Sequence, residues 1–484
     1  MLFNSVEFPI FLLVVLFTYW LIPKKWFQWQ NALILGASYF FYGWWNWQFL
    51  ALIFFSSATD FIVANKLGKT TKDKTRTLLI WTSLVVNLGI LVYFKYSNFF
   101  IESFVDLMQT VGLNFNFASL NIILPVGISF YTFQTLSYTI DVYRGDMEPS
   151  KNPINFFAYV SFFPQLVAGP IERASDLVPQ FEKARKFNTE LGADGLRQII
   201  WGLFKKVLIA DNLAPIVEKV FDGYETMPPI ILFIGVTLFS IQIYCDFSGY
   251  SDIAIGTARL FGFELNQNFR FPFFSKNVTE FWRRWHISLS NWLRDYLFIP
   301  LSIQFRSLGI KGIILAMMLT FILCGLWHGA RWTFIVFGFW QGVILTYEFL
   351  SAKKRGKIKK RMNKNLYNAI SLILTFVFWK TSMILFRADN LHHAWAYFSS
   401  LISFDLFQFS MKDILAVMDP LDLLKFLIFI PFMLLMEILQ REKLHGLEIT
   451  NYKWYTKLIL YSIIAISILL FTPIESADFI YFQF

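Results

Sequence analysis

Long apolar runs alternate with short polar breaks along the chain, and the length of each run sets the element it predicts. Phe8–Ile22 is apolar and stops at Pro23-Lys24-Lys25, which predicts a first span. Asn31 to Ala64 is too long for one crossing, since a span takes about 20 residues. The Gly43-Trp44-Trp45-Asn46-Trp47 cluster divides it and predicts a hairpin, with tryptophans at a membrane interface. Thr77–Phe94 and Asn98–Val111 read as separate segments broken at Lys95. Ile122–Ile140 carries Pro125 and Gly127, followed by Ser129, Thr132, Gln134, Thr135 and Ser137. A broken backbone in a membrane needs protein partners, so this segment is expected to face the interior. Leu196–Val220 is helical in pattern, with Lys205 and Lys206 adjacent, and Ile230–Ile243 is an apolar run leading into Asp246. Phe269–Lys276, around Pro272, reads as a loop.

Phe281–Pro300 predicts one amphipathic helix. Trp282, Trp285, Leu289 and Leu293 form an apolar stripe, and His286, Ser290 and Arg294 a polar stripe beside it. Such a helix lies at an interface or lines a cavity. Ile313–His328 and Trp332–Phe349 are apolar, separated by Gly329-Ala330-Arg331; Tyr367–Phe386, Leu421–Leu439 and Trp454–Phe471 follow. The fold class is therefore all-α: a polytopic membrane protein with roughly 11–13 hydrophobic segments, some of them re-entrant. No repeat or low-complexity region breaks it, and residues 1–484 read as a single membrane-embedded domain.

Composition agrees. The chain is 56% hydrophobic, with 58 Phe and 17 Trp. Only 16% is charged, against about 25% in an average soluble domain. Its net charge of +10 is gathered into a few short loops. Lys24-Lys25, the Lys66–Arg76 loop and Lys353–Lys364, which has eight basic and no acidic residues, mark cytoplasmic ends. The tail Thr472–Phe484 holds Glu475 and Asp478 and no basic residue. Both termini are thus expected outside. No basic face or binding module points to nucleic acid.

Polar and imidazole side chains collect between Tyr244 and Ala330. Ionisable groups at membrane depth are costly and mark function by default. Of five histidines, His392 and His393 fall in an expected outer loop and His445 beside interfacial charges, which leaves His286 and His328 inside the apolar region. A neutral imidazole at His328 is a competent general base for a hydroxyl. Gly325, Gly329 and Ala330 around it would leave room for a substrate. The alternative is a structural histidine bonded to a carbonyl, and composition does not separate the two. His286 is either a second catalytic imidazole or a hydrogen-bonding anchor. Arg283 and Arg284 either bind the phosphates of an acyl donor or anchor a helix at the interface. Cys245 and Cys324 read as small buried hydrophobes, without zinc spacing. No phosphate loop, nucleophile elbow or His-Glu-x-x-His metal helix occurs, so no bound cofactor or metal is expected.

Tyr244–Asp252, Phe281–Tyr296 and Leu326–Ala330 together resemble the membrane-bound O-acyltransferase family, and more narrowly its bacterial alginate O-acetylase branch. Phe3-Asn4-Ser5, Glu7-Phe8, Tyr39–Trp44, Leu124–Phe130 and Phe163–Ile171 extend the likeness, whose motif core is 121–347. The resemblance implies a ring of helices around a funnel that pinches near a catalytic histidine. It makes His328, in Trp-His-Gly, that catalytic residue, and His286, in Trp-Arg-Arg-Trp-His, the second histidine. It implies acetyl-CoA as donor and, across the bilayer, a hydroxyl acceptor on an exported, alginate-like polysaccharide or a periplasmic acetyltransferase or esterase-like partner. Transfer of D-alanine from a carrier-protein thioester to teichoic acid is the rival within the family. A transporter is the rival outside it, though transporters often show repeated halves.

Overall fold

The computed structural model describes residues 1, 3–113, 120–167, 169–402, 410–473 and 477–482. Ala168, Glu475 and part of the outer loop expected between Arg387 and Asp419 lie outside the described residues. Among the described residues there are helices and turns and no strand. Among the described residues, seven helices are long and apolar enough to cross a membrane. The number is eight if Glu7–Leu21 and Lys24–Gly43, bent 107° against each other, count as one broken span. The chain is a multi-pass membrane protein. Other apolar stretches form shorter or interrupted helices. Two compact units are distinguished, Met1–Leu196 with Ala254–Asn266, and Arg197–Ile253 with Gln267–Phe484.

The first unit holds α1 (Glu7–Leu21), α2 (Phe27–Gly43), α3 (Leu50–Leu67), α4 (Asp73–Leu91), α5 (Ser97–Thr110), α6 (Ile128–Arg144), α7 (Pro153–Ser161), α8 (Phe163–Leu166) and α9 (Ala174–Phe181). The tryptophan cluster turns the chain between α2 and α3, as the pattern predicts. Lys95 does not break the next segment. A π turn at Val92–Tyr96 absorbs it, and Asp73–Thr110 continues as one helical span. Gly127, at φ 75°, opens α6 where a Cβ would meet the Leu166 carbonyl oxygen at 2.7 Å. The Pro-Gly pair therefore starts the helix and does not kink it. Nearly every residue of α6 is buried, as its polar composition requires. There Asp60 of α3 accepts from Ser83, from Asn87 Nδ2 at 2.8 Å and from Thr139 Oγ1 at 3.0 Å. A carboxylate inside a helix bundle is tolerable only with such donors.

α10 (Thr189–Leu203) and α12 (Pro229–Leu260) contribute to both units, with α11 (Asp211–Asp222) between them. The second unit continues with α13 (Val278–Trp282), α14 (Ile287–Leu293), α15 (Ile299–Gln304), α16 (Ile310–His328), α17 (Trp332–Arg361), α18 (Lys364–Arg387), α19 (Leu391–Leu401), α20 (Met411–Val417), α21 (Pro420–Leu439) and α22 (Trp454–Phe471). A π turn over Phe204–Ala210 buries all seven of its residues, so Lys205 and Lys206 both point inward. The expected amphipathic helix Phe281–Pro300 is not continuous. It is cut between Trp282 and Ile287 and again by a π turn at Arg294–Phe298. Small residues join α16 to α17: a Cβ on Gly325 or Gly338 would come within 2.1 or 2.2 Å of a carbonyl oxygen of the other helix. Close backbone approach of this kind is how membrane helices pack without a hydrophobic drive between them.

Two histidines lie elsewhere than expected. His393 is buried, stacked on Tyr224 at 4.1 Å with Asp389 3.7 Å away, because α19 turns one face inward. His445 is 1% exposed, not interfacial. His392 is exposed as predicted, and Cys245 and Cys324 are buried.

Candidate active site

The second unit brings His286 and His328 together. Both are buried, at 0% and 3% exposure, and their ring centroids are 6.5 Å apart at 58°. His328 is the last residue of α16, placed there by the glycine seam with α17. The glycines beside it face α17. Gly325 accommodates the Phe334 carbonyl, and a Cβ on Gly329 would meet the Phe334 ring at 2.2 Å. They let α17 approach. Phe386 at 5.3 Å, Trp327 at 5.1 Å and Phe337 at 6.1 Å wall the His328 ring.

His286 is not part of a helical stripe. It precedes α14 in the left-handed region, φ 44° and ψ 54°. That conformation costs a residue with a Cβ roughly 1–2 kcal/mol. Two backbone bonds impose it: Ile287 N–H donates to Asn268 O at 2.9 Å, and Arg270 N–H to Arg284 O at 2.8 Å. Strain held this firmly is characteristic of functional positions.

Asn268, 0% exposed, sets the state of the ring. Its Nδ2 donates to Ser251 Oγ at 3.2 Å, so its Oδ1 is the acceptor. That oxygen takes the Ser288 hydroxyl at 2.9 Å and faces His286 Nδ1 at 3.0 Å. Nδ1 therefore carries the proton in the neutral ring and Nε2 the lone pair. Burial, and then neighbouring His328, push His286 well below the ordinary histidine range. Outside the candidate spans, it is neutral at pH 7.

A third ring completes the site. Tyr481, half-buried, lies 5.7 Å from His328, 6.5 Å from His286 and 4.6 Å from Phe247 between centroids. Nothing in the sequence pattern marked it, because it sits in a short aromatic tail far along the chain. The polar residues of Tyr244–Asp252 support the site. Tyr244 donates to Glu437 at 2.6 Å, Asp246 accepts from Ile480 N–H at 2.8 Å, and Ser251 meets Asn268. Lys205 bonds Ser248 at 2.8 Å and Asp252 at 2.7 Å.

The two arginines part company. Arg283 is exposed and lines a cavity of about 690 Å³ with Arg294, Arg355, Trp282, Phe321 and Leu345. Arg284 turns to Glu280 and the Arg270 carbonyl, each at 3.1 Å, and does not line that cavity. Neither histidine lines it, but Ile287, next to His286, does.

The sequence profile of the MBOAT, membrane-bound O-acyltransferase family, matches residues 150–388. A probable alginate O-acetylase of Pseudomonas putida is 38% identical over 414 residues, 85% of this chain and 82% of that protein. This chain belongs to the membrane-bound O-acyltransferase family. Membership makes it a membrane enzyme that moves an acyl group from a donor substrate to a hydroxyl. A peptidoglycan O-acetyltransferase of Helicobacter pylori is 35% identical over 77% of this chain and 72% of its own. A teichoic acid D-alanyltransferase of Bacillus subtilis is 29% identical over 56% of this chain and 71% of its own. The family profile covers both histidines and the arginine-lined cavity.

Proposed function

We propose that this acyltransferase is an O-acetyltransferase of a bacterial inner membrane, with His328 as catalytic base and His286 as its partner. The observation that carries the reading is the buried pair of imidazoles 6.5 Å apart, close enough for one hydroxyl or one thioester carbonyl to touch both. His328 takes the proton of the acceptor hydroxyl as its oxygen attacks the thioester carbonyl. The thiolate leaves and takes a proton. Nε2 of His286, its tautomer held by Asn268, orients or relays that proton.

Acetyl-CoA is the proposed donor. Its phosphates suit Arg283, Arg294 and Arg355, and Arg355 lies in the basic stretch expected on the cytoplasmic side. Arg284, tied to Glu280, supports the rim of that cavity. The acceptor is a hydroxyl of an exported polysaccharide or of a periplasmic partner protein, reached from the outer face, where the loop charges lead us to expect both termini. A funnel entered from both faces of one membrane-embedded domain meets that need. Higher identity to the O-acetylating relatives favours acetyl over D-alanyl transfer.

A second reading of the acceptor is favoured by Tyr481. Its phenol ring packs beside both imidazoles, at 5.7 and 6.5 Å between centroids. The acetyl group then passes first to Tyr481 as an ester and next to the external acceptor. Cells carrying His328→Ala should lose surface O-acetylation at unchanged membrane protein level; full acetylation would sink the assignment. An acetyl mass on the Tyr481 peptide after incubation with acetyl-CoA decides the second reading.

A further inference from the structure

The tail that carries Tyr481 is held by its backbone. Lys206 Nζ lies 3.1 Å from the carbonyl oxygen of Ala477, and Ile480 N–H donates to Asp246 Oδ2 at 2.8 Å. The same ammonium is 2.8 Å from Asp211 and 2.7 Å from Asp246. All three side chains are buried, at 1%, 2% and 3% exposure. A buried ion cluster is tolerable only when hydrogen bonds meet its remaining protons and lone pairs. Here the tail backbone meets one ammonium proton and one oxygen of Asp246. Capture by backbone fixes the register of a short segment whatever its side chains. Phe479 then packs on Tyr250 at 4.7 Å and on Phe247 at 5.7 Å, and Tyr481 falls against His328. The π turn at Phe204–Ala210 is what points Lys206 inward to make the contact.

We propose that Lys206 and Asp246 are positioning residues of the transfer reaction: they dock segment 477–482 by its backbone and so set Tyr481 against His286 and His328. The proposal rests on the two histidines being the transfer site. Neither residue meets substrate. Both act through the tail.

The test uses the full chain in lipid nanodiscs, as wild type, Lys206→Met, Lys206→Arg and Ile480→Pro. Ile480→Pro deletes the N–H that Asp246 accepts and leaves every ionic contact of the cluster in place. It carries the test alone if Lys206→Met fails to accumulate. Hydrogen exchange of the peptide spanning 477–482 reads docking without reference to activity. Lys206→Met and Ile480→Pro should exchange about tenfold faster than wild type, as expected of a locally released segment. Their kcat should fall about tenfold at unchanged donor KM, the signature of a lost transition-state arrangement. Lys206→Arg should restore both readings in part. Unchanged exchange in both disruptive variants overturns the docking, and faster exchange with unchanged kcat overturns the positioning role. In a wild-type protein without acyl transfer the function assignment fails, while the exchange difference still decides the docking.

Discussion

Replacing Asn268 tests how His286 is prepared. Its Oδ1 accepts from the Ser288 hydroxyl at 2.9 Å and holds His286 Nδ1 at 3.0 Å. Asn268→Ala removes the acceptor and leaves a buried imidazole N–H without it. The loss of one such bond is worth about 1–3 kcal/mol. If that energy is what keeps the productive tautomer, the rate falls about 5- to 150-fold, at about 1.4 kcal/mol per tenfold. The backbone bond from Ile287 to Asn268 O survives the change, so the left-handed turn should persist. Initial rates of thiol release, with thermal unfolding as a control, check this. Asn268→Asp supplies a reading that mere packing would not move. A carboxylate there favours the protonated ring, so the imidazole's pKa rises. His286 must be neutral to orient or relay the proton, so the rate falls as pH drops through its pKa. In wild type that acid limb should lie below the ordinary histidine value of 6.5, because burial and His328 depress it. In Asn268→Asp it should move upward. A stable Asn268→Ala enzyme at full rate, with an unmoved limb in Asn268→Asp, would refute the reasoning.

Arg283→Ala should raise the donor KM several-fold with little change in kcat, whereas Arg284→Ala, whose side chain is bound to Glu280, should alter it less; donor-concentration series compare them. Tyr481→Phe removes one hydroxyl and no packing, and transfer to an external acceptor should drop at least about tenfold if that hydroxyl takes part in proton or acyl transfer. Gly338→Val places a Cβ within 2.2 Å of the Phe321 carbonyl oxygen, so it should destabilise the α16–α17 pair by about 1–3 kcal/mol, seen as a lower unfolding temperature.

Hydrophobic pattern located the helices well where it was uninterrupted, as in α16, α18 and α22, whereas α17 runs beyond Phe349 to Arg361, through the basic stretch. It could not see π turns, because one inserted residue leaves composition unchanged; Lys95 and Lys206 are both carried by such turns. It also ran Phe281–Pro300 as one helix, since Trp, Arg and Ser all suit helical spacing there. The break at His286 comes from tertiary bonds to the 268–270 loop, which periodicity does not encode. The histidines themselves were legible because imidazoles are rare in apolar runs. Asn268 was not, as a lone amide in a loop is ordinary. Tyr481 was hidden because its place beside the imidazoles comes from where the backbone of the tail is tied.

The most direct measurement is thiol release from acetyl-CoA by the purified protein in lipid, supplied with a polysaccharide as hydroxyl acceptor, with and without His328. The account predicts steady release with wild type and none above background with His328→Ala at equal folded protein. Release at the same rate in both, or none from acetyl-CoA with wild type while a carrier-bound D-alanyl thioester is consumed, would contradict it.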